Sequence, residues 1–218
     1  MTDDLIASLR ERLLDAALPD IAFDGWSSIS LEKARAQAGI SEDEQIIALP
    51  KGPIDLLRHF SRRGDQRMLD QLATLERPAK IRELVTLAVK TRLLVDAPHR
   101  EAVRRGAAML TAHPGVALRL GYATTDAVWR WVGDTSTDYN FYTKRAILSG
   151  VISATRLYWF TDESADFEES WAFLSRRIDN VMQFEKMKAT TQSRWEGSAD
   201  RVHGAIQRMA RWRFGQSS

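Results

Sequence analysis

Apolar residues recur at helical spacing along almost the whole chain, and the strict alternation of half-buried strands is nearly absent. Leu5, Leu9, Leu13, Ala16 and Ala17 share one face of a first helix spanning Asp3 to Ala22, and Phe23-Asp24-Gly25-Trp26 reads as a turn. Ser30 caps a short helix ended by Gly39. Ser41 caps another that opens Glu42-Asp43-Glu44 and runs to Ala48. The Leu49-Pro50-Lys51-Gly52-Pro53 break leads into a long amphipathic helix from Pro53 to Leu75. Pro78, Pro98 and Pro114 each lie near a further helix start, and Gly133 to Asp138 is a polar loop. Asn140 to Phe160 and Ala165 to Glu185 form two more helices, split by Thr161-Asp162-Glu163-Ser164. With a last basic helix, the pattern predicts an all-α chain in three segments: 1–50, 51–185 and 186–218.

Composition narrows the chemistry. The 218 residues are 44% hydrophobic and 28% charged, which is ordinary for a globular protein. There is no cysteine, which excludes a disulfide framework, a thiolate zinc site, an iron–sulfur cluster and a cysteine nucleophile. His59, His99, His113 and His203 stand in different elements without ligand spacing, and no Glu-x-x-His pair marks a carboxylate-bridged metal site. Asp162, Glu163, Asp166, Glu168 and Glu169 open a helix, where carboxylates suit the macrodipole. No phosphate-cradling glycine loop or serine elbow occurs. The expectation is a protein that is not an enzyme and needs no cofactor. The opening Met1-Thr2-Asp3-Asp4 lacks the character of a signal peptide, and no stretch reaches 18 apolar residues. These features predict a cytoplasmic protein.

Charge is uneven. From Met187 to Ser218 six bases face two acids, whereas residues 1–186 carry 25 bases and 27 acids. On a helical wheel Trp195, Val202, Ile206 and Met209 share one arc, with Trp212 further round. Arg201, Arg208 and Arg211 occupy the other side. Indoles on an apolar arc beside arginines suit a helix lying in a membrane interface, against anionic headgroups. A last helix docked on its own bundle is the alternative.

Two resemblances follow. Ala17, Phe23, Gly25, Ile29, Leu31, Ala34, Ala38, Gly39, Ile40 and Ser41 resemble the helix-turn-helix of TetR-type regulators. The reading helix, however, opens with three carboxylates, which oppose a polyanionic duplex. Gly133-Asp134-Thr135-Ser136-Thr137-Asp138-Tyr139-Asn140-Phe141-Tyr142-Thr143-Lys144-Arg145-Ala146 and Asp166-Phe167-Glu168-Glu169-Ser170-Trp171-Ala172-Phe173-Leu174 resemble the signature of the Coq-nine family, accessory proteins of ubiquinone biosynthesis. The likeness runs from about residue 10 onward and is densest between Trp129 and Asp179.

The resemblance implies a TetR-like fold without nucleic-acid binding, homodimerisation, and a pocket for isoprenoid lipids or ubiquinone precursors. It further implies a surface for the di-iron demethoxyubiquinone hydroxylase, with the chain at the inner face of the plasma membrane if bacterial. Met109, Leu110, Leu118, Tyr122, Trp129, Trp131, Val132 and Tyr142 are the candidate pocket residues, with simple filling of the bundle core as the alternative for each. By motif match, Ile147, Leu148, Val151 and Ile152 fall where the family's hydroxylase patch lies, with core or dimer packing as the alternative. The rival from another class is a TetR-type regulator with a small apolar effector.

Overall fold

Hydroxyl caps set the register of the front helices. The computed structural model describes residues 2–135 and 139–181. After α1 (Asp3–Asp24), the cap of α2 (Ser28–Ala38) is Ser27 rather than Ser30. The Ser27 hydroxyl accepts from the Ser30 N–H at 3.2 Å, while the Ser30 hydroxyl accepts from the Ser27 N–H at 3.1 Å. Both serines take part in one reciprocal box, so the helix begins earlier than a cap at Ser30 implies. Ser41 and Glu44 form a second box that opens α3 (Glu42–Ala48). Between them Gly39 holds a left-handed φ of 61°, which ends α2 at little steric cost.

Pro53 stands in the first turn of α4 (Pro53–Thr74), as expected, and Pro114 in that of α7 (Pro114–Val132). Pro78 and Pro98 lie near helix starts, as expected, without opening an α-helix themselves. The chain leaves α4 through a non-helical stretch containing Pro78 and begins α5 at Ile81 (Ile81–Leu94), while Pro98 sits in a one-turn 3₁₀ segment before α6 (Arg100–Thr111). Proline fixes φ but tolerates either setting. Pro19 lies inside α1, which continues through it to Asp24.

One hydrophobic core joins the front to the bundle. Leu9, Leu13, Ala17 and Ile21 of α1 cluster with Leu31 and Ala34 of α2, Leu57 and Phe60 of α4, and Ala102 and Val103 of α6. Fully burying one such leucine contributes roughly 1.5–3 kcal/mol. The Trp26 indole donates to the Ala102 carbonyl at 2.8 Å, tying the α1–α2 turn to α6 across the sequence. Segments 1–50 and 51–174 therefore share one interior. Behind it α4 packs on α5 and α7, and α7 on α6 and α8 (Tyr139–Trp159). A ninth helix occupies 168–181 among the described residues, and no strand occurs among them.

The chain divides into two compact units, Met1–Leu174 and Ser175–Ser218. In the second, residues 175–181 are helical. The expected membrane-facing residues Trp195, Arg201, Val202, Ile206, Arg208, Met209, Arg211 and Trp212 lie outside the described residues.

One of the acidic residues, Asp162, caps the start of α9 (168–181). Asp162 accepts from the backbone and hydroxyl of Ser164 at 2.9 and 2.6 Å, and from those of Ser170 at 2.8 and 2.5 Å. Burial works to raise this carboxyl's pKa, but the donated hydrogen bonds outweigh it and bring it to about 2. A pKa below the unfolded value of about 3.9 stabilises the fold above pH 4, and that contribution is lost as pH falls towards 2. Asp162→Asn should cost about 2 kcal/mol at neutral pH and flatten the acid limb between pH 4 and 2, as read by urea unfolding at stepped pH. An unchanged acid limb would refute the capping role.

Candidate functional site

A cavity of about 260 Å³, open to solvent on one side, lies between α4, α6, α7 and α8, with the end of α5 beside it. Leu57, Phe60 and Ser61 contribute from α4, and Val103, Gly106, Ala107 and Leu110 from α6. Ala117, Leu120, Gly121, Thr124 and Thr125 line it from α7, a spacing of one helical face. Ser149, Ile152, Ser153, Arg156 and Leu157 come from α8, followed by Phe160. Leu157 is 66% exposed and marks the mouth. Apolar walls with a few polar groups are the usual make-up of a small-molecule site, at the small end of the size range.

The polar side is a buried ionic cluster. Arg92, 2% exposed, donates from Nε to Asp65 at 2.7 Å, to the Asp96 carboxylate, and to the Ser61 carbonyl at 3.2 Å. Thr124 donates to the same Asp65 oxygen at 2.8 Å. Burial works to lower the Arg92 pKa, but the Asp96 and Asp65 charges override it and hold it above its ordinary value. Gly64 makes room for this guanidinium, since a Cβ there would fall 2.7 Å from Arg92 Cζ. Arg156 differs: its Nε is buried and without a hydrogen-bond partner. Burial, with Arg92 adding repulsion, lowers its pKa.

The expected pocket residues divide by direction. Leu110 lines the cavity. Met109 instead packs partly buried against the core. Leu118, Tyr122 and Tyr142 are exposed, because Leu118 and Tyr122 sit about 100° round α7 from the lining face. Trp129 and Trp131 are half-buried under cations, with Lys144 Nζ 5.6 Å and Arg77 Cζ 4.7 Å from their rings. Arg77 also donates to the carbonyls of Trp131 and Val132, closing the end of α7 and placing Val132 away from the cavity. Of the four residues expected to meet a partner, Leu148, Val151 and Ile152 are buried within this chain, and Ile152 lines the cavity. Ile147 is half-buried.

The sequence reading missed Asp65, Arg92, Asp96 and Arg156. Their signal was a charge on an apolar stripe: Arg92 follows Leu84, Val85, Ala88 and Val89 on α5, and Arg156 follows Leu148 and Ile152 on α8. Among the described residues of the first signature block, Asp134, Lys144 and Arg145 form an ionic latch. Asp134 accepts from Lys144 at 2.7 Å, and buried Arg145 reaches Asp126 at 2.8 Å while stacking over Phe141. No group of three or more histidine or carboxylate side chains able to hold a metal occurs among the described residues.

Fold and cavity together define a TetR-like helical bundle with an internal apolar site. A TetR transcriptional regulator from Nitrosomonas europaea superposes with a TM-score of 0.63 at 19% identity, over 81% of this chain and 99% of that one. Residues 115–185 match the COQ9 family model. The chain is also similar to "Ubiquinone biosynthesis protein COQ9, mitochondrial" of Xenopus tropicalis, 33% identical over 80% of this chain and 58% of that protein. The proteins of the same name from Rattus norvegicus and Homo sapiens are each 29% identical over 90% of this chain, and over 66% and 65% of their own lengths. The resemblance read from the two signature blocks is therefore real, and the chain spans less than two thirds of these relatives' lengths.

Proposed function

We propose that this chain is a lipid-binding accessory factor of ubiquinone biosynthesis, a binding protein without catalysis of its own. The observation that carries the reading is the apolar cavity, half of whose wall comes from α7 and α8, inside the segment matched to COQ9. Each methylene taken from water into such a cavity contributes about 0.8 kcal/mol, so the ring end and first branch of a prenylated intermediate gain from a site of this kind. In this reading the chain works as a homodimer at an anionic membrane surface and presents its ligand to the demethoxyubiquinone hydroxylase. Ile147 and the exposed apolar residues of α7 and α8 are candidate contact points. No helix among the described residues is long and apolar enough to cross a membrane, which suits a peripheral attachment through the segment around Trp195 to Trp212.

Duplex DNA is not part of this function. The third helix has seven residues and begins Glu42-Asp43-Glu44, with Glu44 committed to the Ser41 box and its pKa lowered by that hydrogen bonding. Three carboxylates at the reading end repel a phosphate backbone.

The test is genetic and chemical. Disrupting the encoding gene should lower cellular ubiquinone and leave a prenylated precursor in excess, and the intact chain should restore both. Ala107→Phe puts a ring into the cavity and should restore neither, while circular dichroism stays that of the parent. Normal ubiquinone in the disrupted strain would refute the proposal.

A further inference from the structure

The cavity contains one feature that an apolar tail alone does not use. Arg156 lies on its wall, and its buried Nε–H has no acceptor among the described residues. The polar cluster beside it is satisfied: Arg92 by Asp65, Asp96 and Ser61, Thr124 by Asp65, and Thr125 by the Gly121 and Tyr122 carbonyls. A buried donor left unpaired is costly, and a charged one more so. The place therefore calls for an oxygen.

Charge and size say which kind. The ionisable groups that act on Arg156 are Arg92, Asp65 and Asp96. With Arg156 they make two positive and two negative charges, so the set is already neutral. An anionic ligand would bury a net charge, whereas a carbonyl or quinone oxygen satisfies the N–H and leaves the balance intact. A cavity of roughly 150 Å³ holds a benzene ring, so about 260 Å³ holds a substituted ring and a short branch, not a long prenyl chain. We infer that Arg156 reads the ring end of the ligand: its Nε–H donates to a neutral carbonyl-type oxygen, the ring enters first, and the tail leaves by the mouth at Leu157. This rests on the lipid-binding reading and adds to it the residue that reads the head group and the orientation of the ligand.

Titration calorimetry of the full, delipidated chain with three probes tests it: a decyl-substituted benzoquinone, decylbenzene and 4-decylbenzoate. The quinone should bind about tenfold or more tightly than decylbenzene, in line with one hydrogen bond from a charged donor. The benzoate should bind no better than the quinone. Arg156→Met should bring quinone and decylbenzene within about threefold of each other, with circular dichroism confirming the fold; if that variant does not fold, the ranking on the unaltered chain decides. Equal binding of quinone and decylbenzene, or a preference that survives Arg156→Met, overturns the inference. A tightest-binding benzoate overturns the neutral head group. Failure of all three probes overturns the lipid reading itself, and the inference with it.

Discussion

Arg92→Met should cost about 3–5 kcal/mol of folding stability, the penalty for removing one partner of a buried ion pair. The substitution leaves Asp65 and Asp96 inside the bundle, each having lost a charge-assisted hydrogen bond. Asp65 then keeps the Thr124 hydroxyl as its donor. Guanidinium chloride unfolding measures the loss directly. The double replacement Arg92→Met with Asp65→Asn should recover part of it, since one orphaned charge is removed. A loss under about 1 kcal/mol, the range of exposed pairs, would mean that water reaches this cluster freely.

Gly64→Ala is the second large effect, and its sign is the informative part. In an ordinary helix interior this change stabilises by about 1 kcal/mol. Here the new methyl would sit 2.7 Å from the Arg92 Cζ, and three acceptors hold that guanidinium in place. The expected outcome is a loss of about 2–4 kcal/mol, from crowding and a disturbed ion cluster together. In the Arg92→Met background the penalty should fall to near zero, because a flexible thioether can yield. A double-mutant cycle isolates this coupling. If Gly64→Ala stabilises the unaltered chain, the close approach of α4 to Arg92 is wrong.

These effects rest on residues whose meaning is only partly legible in the sequence. The all-helical class, the Ser41–Glu44 cap and the stop at Gly39 can be read directly, because periodicity and capping are local. Ser27 and Ser30 cannot be ranked on residue type, since both hydroxyls suit a cap. The Trp26 bond to Ala102 depends on two helices meeting across the sequence. Within the site, Leu110 is where the sequence reading puts it, but Leu118 and Tyr122 face outward: apolar size says that a residue wants burial, not which way its helix faces. Arg92 and Arg156 escape a reading that looks for catalytic and metal-ligating sets, because each is a single charge set in an apolar stripe.

The same stripe explains why the resemblance to the ubiquinone-biosynthesis proteins can be read from its two blocks without locating the cavity. The Asp134–Lys144–Arg145 latch and the Asp162 cap hold the start of α8 and the start of α9. Residues facing the cavity, such as Ala107, Gly121 and Ser149, are small and chemically plain. Space itself leaves little trace in a sequence.

The most direct measurement is the lipid content of the chain purified in its native state, extracted into organic solvent and quantified by mass spectrometry. A prenylated quinone or quinone precursor should accompany the parent chain at close to one per cavity and be strongly depleted in Ala107→Phe. Protein that carries no such lipid, or carries as much after the cavity is filled, would contradict the account.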